Sequence, residues 1–118
     1  MPFLLIHRAD RACFNQAQAL VDMQSIGATR LMLGGMPGAA ITGHYSSCSD
    51  SVIVELKSDG LSFAISDCGP AALEFAMRLQ AVSAIPLRII DEGYTFDLPL
   101  KKYSRTEELV AAIEAADV

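Results

Sequence analysis

The stretch SVIVELK-SDG-LSFAIS, residues 51–66, decides the fold because it reads as two strands joined by a tight turn. Apolar positions alternate with mostly polar ones on both sides of the link, which is the side-chain period of a β-strand. The Ser58-Asp59-Gly60 link has the residue types that a short hairpin loop needs where φ turns positive. The segment therefore predicts an antiparallel hairpin. Its larger apolar residues are Val52, Val54, Leu56, Leu61, Phe63 and Ile65.

The N-terminal residues predict a strand followed by an amphipathic helix. Pro2 to Ile6 is a short apolar run typical of a strand, and Asp10 offers an N-cap for a helix that continues to about Ile26. Gly27 then ends the helix as a C-cap glycine. The residues expected to form the buried stripe of this helix are Phe14, Ala17, Leu20 and Val21.

Two more strands are predicted between this helix and the hairpin. Thr29 to Leu33 has the character of a short buried strand, and the sequence GGMPG after it requires a turn. From Ala39 the residues alternate between two faces. Ala39, Ile41, Gly43 and Tyr45 share the face expected to point inward, and Ala40, Thr42, His44 and Ser46 share the other.

The segment from residue 31 to residue 49 is free of Asp, Glu, Lys and Arg and holds four of the eight glycines. Such a segment in an acidic protein is buried, lies against a partner, or leaves its backbone free to contact a ligand. A phosphate cradle is disfavoured because the loop has neither GK[ST] nor GxGxxG and no convincing helix follows it. The candidate binding residues here are Gly34, Gly35, Gly38 and His44.

The hairpin is followed by a predicted junction between a strand and a helix. Ser66 or Asp67 is available as a cap, and Pro70 suits the first turn. The apolar face expected for this helix consists of Ala72, Phe75, Ala76, Leu79 and Val82.

The C-terminal third predicts two strands and a last helix. LRII begins a strand after Pro86, and the turn DEG separates it from YTFDLPL, where Pro99 favours an edge or a strand end. Ser104 and Glu107 have the spacing of a capping box, in which each side chain accepts a hydrogen bond from the other residue's backbone amide. Leu109, Ala112, Ile113 and Ala116 are expected to face inward.

This order of elements predicts a single α+β domain over residues 1–118. It is a two-layer sandwich in which about three amphipathic helices cover one face of a mostly antiparallel sheet. Apolar residues make up 52% of the chain and charged residues 19%, a slight excess of apolar surface that indicates an additional buried area. One apolar sheet face is therefore a candidate dimer surface, and we expect a homo-oligomer.

The net charge of −5 gathers toward the C-terminus. Because the chain has no basic stripe, binding to nucleic acid through phosphate neutralisation is disfavoured, whereas a basic protein would be steered toward the acidic half. Asp91, Glu92 and Asp97 surround one turn, and with Tyr94 they form a candidate surface for a basic partner. The alternative for these residues is a solvated turn beside an ordinary aromatic core.

Three cysteines at Cys13, Cys48 and Cys68 leave one unpaired in any pairing, which fits reduced thiols in a cytoplasmic protein. Cys68 lies at the predicted start of a helix, where the helix dipole favours a thiolate, and His7 or His44 would have to serve as its base. The alternative is a buried structural cysteine. The H-x3-C spacing from His44 to Cys48 does not match a zinc pattern, so no metal is predicted.

These observations favour a small cytoplasmic, non-catalytic interaction or regulatory domain, homodimeric and comparable in size and charge to acidic inhibitor or immunity-type proteins. The alternative is a small-molecule-binding domain or thiol-dependent enzyme, with Cys68 and His44 as candidate catalytic residues. No cofactor is predicted. Neither a signal peptide nor a membrane span is expected, because FLLI is followed at once by His7, Arg8 and Asp10.

Overall fold

The computed structural model describes residues 3–34, 37–47, 50–67, 69–91 and 96–116. Within these ranges seven strands form one antiparallel sheet in the order β2-β3-β4-β5-β1-β6-β7, and three α-helices pack on it. The predicted α+β class and the predicted element order are confirmed. The elements are β1 (Leu4–Arg8), α1 (Gln16–Ser25), β2 (Thr29–Leu33), β3 (Ala39–Ser47), β4 (Asp50–Lys57), β5 (Ser62–Ile65), α2 (Pro70–Val82), β6 (Leu87–Asp91), β7 (Asp97–Pro99), a 3₁₀ turn (Leu100–Lys102) and α3 (Thr106–Ala116).

The hairpin at the centre of the sequence is formed by β4 and β5. Val54 lies opposite Ile65 and Leu56 lies opposite Phe63, so the larger apolar side chains share one face. Gly60 has φ of +73°, a left-handed value that glycine adopts without steric cost. Phe63 is fully buried and packs edge to face on Phe75, with ring centroids 6.3 Å apart.

All three described helices lie on the same side of the sheet. The Tyr45 ring of β3 meets Phe75 of α2 edge to face at 5.5 Å. On the same face of β3, a Cβ placed on Gly43 would lie 3.3 Å from Met23 Cε of α1 and 2.7 Å from Leu31 Cδ2. Helix α3 packs on α2 and contributes Leu109 to the core. The opposite side of the sheet therefore has no helix on it in the part of the chain that the structure describes.

The first helix begins later than predicted. Asp10 does not cap it, because its carboxylate accepts from the Ala12 amide and pairs with Arg8. Asn15 is the N-cap instead and accepts from the Gln18 amide. The predicted stripe is confirmed only in part: Phe14 and Leu20 pack half-buried against the core, but Ala17 and Val21 are exposed, and the buried positions are Ala19 and Met23. Gly27 ends the helix as predicted, with φ of +95°.

The strand β2 has the predicted bounds but is not buried. It lies at the edge of the sheet, where Met32 is 58% exposed and Leu33 66% exposed. A bulge between Thr29 and Met32 interrupts its pairing with β3, and Arg30 has a left-handed φ of +53° there. An apolar edge strand of this kind is usually protected against pairing with another chain, and a bulge is one such protection. The predicted alternation of β3 is confirmed in the register from Ile41 to Ser46, but a register shift interrupts it between Ala39 and Ile41, and Thr42 on the other face is also buried.

The caps of the two later helices differ from the predictions. Neither Ser66 nor Asp67 caps α2; its N-cap is Gly69, Pro70 occupies the first turn, and Asp50 accepts from the Ala71 amide at 3.3 Å. At α3 the carboxylate that reaches back belongs to Glu108, not to Glu107. The Glu108 carboxylate accepts hydrogen bonds from the backbone amides of Ser104 and Arg105. Glu108 lies one position further into the first turn than the predicted Glu107.

Candidate functional site

The side of the sheet that carries no described helix is called here the open face. Residues that lie opposite one another in neighbouring strands share a face, so the strand registers define its members. These pairs run from Met32 and Thr42 at one end to Ile90 and Asp97 at the other. The open face comprises Thr29, Met32, Thr42, His44, Ser46, Ser51, Ile53, Glu55, Lys57, Ser62, Ala64, Leu5, His7, Arg88, Ile90, Asp97 and Pro99, with Phe3 beside Ile53 and Arg11 beside Leu5.

The centre of the open face is apolar. Ile53 is 41% exposed and Phe3 is 46% exposed, and together with Ala64 they line a shallow depression of about 150 Å³. Leu5 continues this surface toward β6, where it lies opposite Ile90. Single exposed apolar residues are ordinary, but a contiguous group bordered by polar residues marks an interaction surface.

Two ion pairs lie on the open face, and a further cation, Arg11, borders it beside Leu5 and Asp97. Lys57 Nζ lies 3.0 Å from Glu55 Oε1, and Arg88 Nε lies 2.7 Å from Asp97 Oδ1. Both pairs cancel, so the net charge of −5 originates outside them. An apolar centre with a polar margin that holds two ion pairs has the composition of a protein interface.

Two of the predicted binding glycines serve the turn between β2 and β3. Gly34 and Gly38 have φ of +75° and +81°, and the Gly34 amide donates to the Ala40 carbonyl at 2.7 Å. The Gly38 carbonyl in turn accepts from the Ser58 amide at 2.8 Å. Their backbone conformation, rather than a ligand, accounts for the glycines at these positions. Gly35 lies outside the described residues.

The candidate thiol chemistry falls largely outside what the structure describes, because Cys48 and Cys68 are not among the described residues. His44 is half-buried on the open face, opposite Thr29 and Ile53. Helix α2, which begins just after Cys68, packs on the other side of the sheet. Cys13 is an exposed free thiol whose Sγ lies 3.5 Å from the Asp59 carbonyl oxygen.

The candidate acidic surface is only partly described. Asp97 is exposed and paired with Arg88, and Arg88 also donates to the Asp97 carbonyl at 3.1 Å. Asp91 is half-buried at the end of β6. Glu92 and Tyr94 lie outside the described residues. Of the two carboxylates described here, the exposed one, Asp97, therefore already has an intramolecular cation.

A polar cluster that the sequence did not reveal lies under the helical layer. The Glu74 carboxylate of α2 accepts hydrogen bonds from the Ser47 and Tyr45 hydroxyls of β3, and Arg78 lies 3.2 Å from it. These bonds lower the pKa of Glu74, Ser47 having the largest effect. Burial, together with the bond to Glu74, raises the pKa of Tyr45 to about 12. The cluster is internally satisfied and fastens α2 to β3.

Replacing the carboxylate at the centre of this cluster changes two titrations. In Glu74→Gln we expect the pKa of Tyr45 to fall from about 12 toward 10 while staying above 10, because burial still disfavours the phenolate. The natural chain loses stability as the pH falls below 4.5 and Glu74 becomes protonated. The variant loses less, because glutamine does not titrate. The natural chain also loses stability between pH 10 and 12, as Tyr45 ionises, and the variant loses less there because its folded-state pKa lies closer to 10.

Phenolate absorbance and urea unfolding across pH measure these two effects. The exposed Glu114→Gln variant is the control and should change neither curve. An unaltered Tyr45 titration in Glu74→Gln would contradict the hydrogen bond between the two side chains.

Comparison with known proteins found no match: no family model, no curated protein and no solved structure matches the chain. Among the helices that the structure describes, none combines the length and the apolar character needed to cross a membrane. The candidate function accordingly rests on the open face alone.

Proposed function

We propose that this protein is a small non-catalytic interaction domain that pairs with a second copy of itself through the open face. The observation that supports this most strongly is the apolar centre around Ile53 and Phe3 on the helix-free side of a two-layer domain. Packing two such faces together would bury this centre and give a four-layer dimer, with the helices outermost.

The size of the open face suits such a pairing. Seven strands about 4.8 Å apart span about 29 Å, and strands of about six residues are about 20 Å long, which gives roughly 600 Å² in projection. The accessible area of the side chains exceeds the projected area. A standard interface takes about 800 Å² from each partner, so the open face approaches the area that a stable dimer needs.

The charge of the open face favours a second copy over a basic partner at this site. A basic protein would need free carboxylates, but Glu55 and Asp97 are already paired with Lys57 and Arg88. Two copies with a net charge of −5 repel each other wherever their acidic surfaces meet. On the open face that repulsion is small because the ion pairs cancel. A two-fold pairing also requires a self-complementary patch, which a neutral apolar surface provides.

In such a dimer the acidic residues of the helical side stay accessible. Glu107, Glu108 and Glu114 on α3 point away from the open face and are exposed. A regulatory or inhibitory role toward a basic protein would use this side. We place the domain among cytoplasmic proteins on the basis of its cysteine usage.

Sedimentation velocity over protein concentrations of about 1 to 500 µM tests self-association. We expect the weight-average mass to rise from the chain mass of 12.6 kDa to twice that value. The rise should persist at high salt, since apolar contacts are not screened. A single-chain mass at every concentration would contradict the proposal.

A further inference from the structure

The helical side of the domain carries a cleft that has no part in the proposed pairing through the open face. It has a volume of about 360 Å³ and lies between α1 and the C-terminal end of α2. Its floor is apolar and includes Phe14, Phe63 and Leu79, and exposed Val82 stands at its margin. Clefts of this size with an apolar floor and a few polar groups are the usual form of small-molecule sites.

The polar side of the cleft belongs to one face of α1. Asn15, Gln18 and Asp22 follow one another at helical spacing and all line it. The Asn15 side chain is engaged as the N-cap of the helix. Gln18 Nε2 donates to Asp22 Oδ1 at 2.9 Å, which orients the carboxylate. In the described part of the chain no cation lies within ion-pair distance of Asp22.

The other charged residue of the cleft does not neutralise Asp22. Arg8 directs Nε and Nη2 at the Asp10 carboxylate and Nη1 at the Cys13 carbonyl. Its charge is thus compensated by Asp10, outside the cleft. The charges of Arg8 and Asp10 cancel each other, so Asp22 gives the cleft a net negative charge.

The end of α2 places partial negative charge at one part of the cleft, while the N-terminal end of α1, at Asn15 and Gln18, lines another part. The helix ends at Val82, and Val82, Ser83 and Ala84 line the cleft, so the carbonyl end of the helix borders it. The last turn of α2 contains no basic residue that would offset the partial negative charge of its carbonyls. A cation is stabilised at such a helix end.

From this combination we infer that the cleft binds a small amphiphilic cation. An aryl or alkyl group would pack on half-buried Phe14 and exposed Val82, above the buried Phe63 and Leu79, and an ammonium group would pair with Asp22 near the end of α2. The charge pattern disfavours a carboxylate of the same shape, since it would face Asp22 directly. The inference does not depend on self-association, because the cleft and the open face lie on opposite sides of the sheet.

Titrations followed by ¹H–¹⁵N correlation spectra test the inference with three probes of one shape: phenethylamine, 2-phenylethanol and phenylacetate. We expect phenethylamine to bind with a dissociation constant of about 1–5 mM, as is usual for a fragment of this size. The alcohol should bind about tenfold more weakly, and phenylacetate more weakly still. The shifted amides should lie around Ala19, Phe63 and Val82.

Asp22→Asn separates the charge from the shape of the site. Asparagine keeps a side-chain oxygen that accepts from Gln18, so the helix face is preserved. In this variant we expect the amine to bind only as well as the alcohol, with the alcohol unchanged. Glu114→Gln removes one exposed carboxylate on α3 and should leave the preference for the amine intact.

Three results would overturn the inference. The first is that phenethylamine shows no saturable binding at about 20 mM. The second is that amine and carboxylate bind equally well. The third is that the preference for the amine survives in Asp22→Asn, because Asp22 would then not be the carboxylate that receives the ammonium group.

Discussion

Ile53→Lys is expected to abolish self-association, weakening the dimer by at least about 100-fold. Ile53 is 41% exposed and lies at the apolar centre of the open face. A two-fold pairing brings this position in twice, so each dimer would bury two ammonium groups, and the neighbouring Glu55 carboxylate is already paired with Lys57. An unpaired buried charge costs several kcal/mol, and about 2.7 kcal/mol corresponds to a 100-fold change in affinity. Sedimentation velocity of the variant measures the effect.

Val21→Lys is the matched control for this substitution. Val21 is also an exposed aliphatic residue, at 54%, but it lies on α1 on the helical side of the sheet. We expect the control to associate as the natural chain does. If both variants remain dimeric, or if Val21→Lys alone dissociates, the open face is not the interface.

Phe63→Ala is expected to lower the free energy of unfolding by about 4 kcal/mol, which is the usual cost of deleting a buried phenylalanine. The side chain is fully buried in the central hairpin. It contacts Phe14 edge to face at 4.8 Å and Phe75 at 6.3 Å, so its removal leaves a cavity under both helices and ends two ring contacts. A domain of this size has a total stability of about 5–15 kcal/mol, and the variant therefore loses a large share of it.

Urea unfolding at a fixed protein concentration measures this loss, since association would add to apparent stability. Leu61→Ala is the control because Leu61 has the same alternation in the sequence but is 45% exposed. We expect it to cost less than about 1 kcal/mol. Equal costs for the two variants would contradict the placement of Phe63 at the centre of the core.

The strand pattern could be predicted from the sequence because the side-chain period is local. The alternation of residues 51–66 gave the hairpin and its inward face, and that of residues 39–46 gave β3. The exposure of β2 could not be predicted, because the apolar run Leu31, Met32 and Leu33 fits a central strand as well as an edge strand. Position in the sheet depends on strand order, which local pattern does not determine.

Helix ends were less predictable because several residues compete for the same role. Asp10 and Asn15 are both residue types that favour the N-cap position. Because Asp10 is paired with Arg8, Asn15 caps the helix. Glu107 and Glu108 are adjacent acids, and the start of α3 at Thr106 decides between them.

The candidate site was predicted in outline but not in detail. A sheet covered by helices on one side leaves the other free, so an apolar sheet face was a foreseeable surface. Its members were not, because they come from seven strands whose alignment depends on the registers between them. The cluster around Glu74 has no sequence signal either, since Ser47 and Glu74 are 27 residues apart. The cleft beside Asp22 likewise joins residues from α1, β5 and α2.

The most direct test of the pairing is an isotope-filtered nuclear Overhauser experiment on a mixed dimer, with one copy ¹³C-labelled and the other unlabelled. We predict intermolecular contacts from the Ile53 and Ala64 methyl groups to apolar protons of the open face, the Phe3 ring among them. Such contacts require the two copies to approach within a few ångströms, so they locate the interface without any substitution. A dimer whose intermolecular contacts come only from the β2 edge, at Met32 and Leu33, or from the helices would contradict the account.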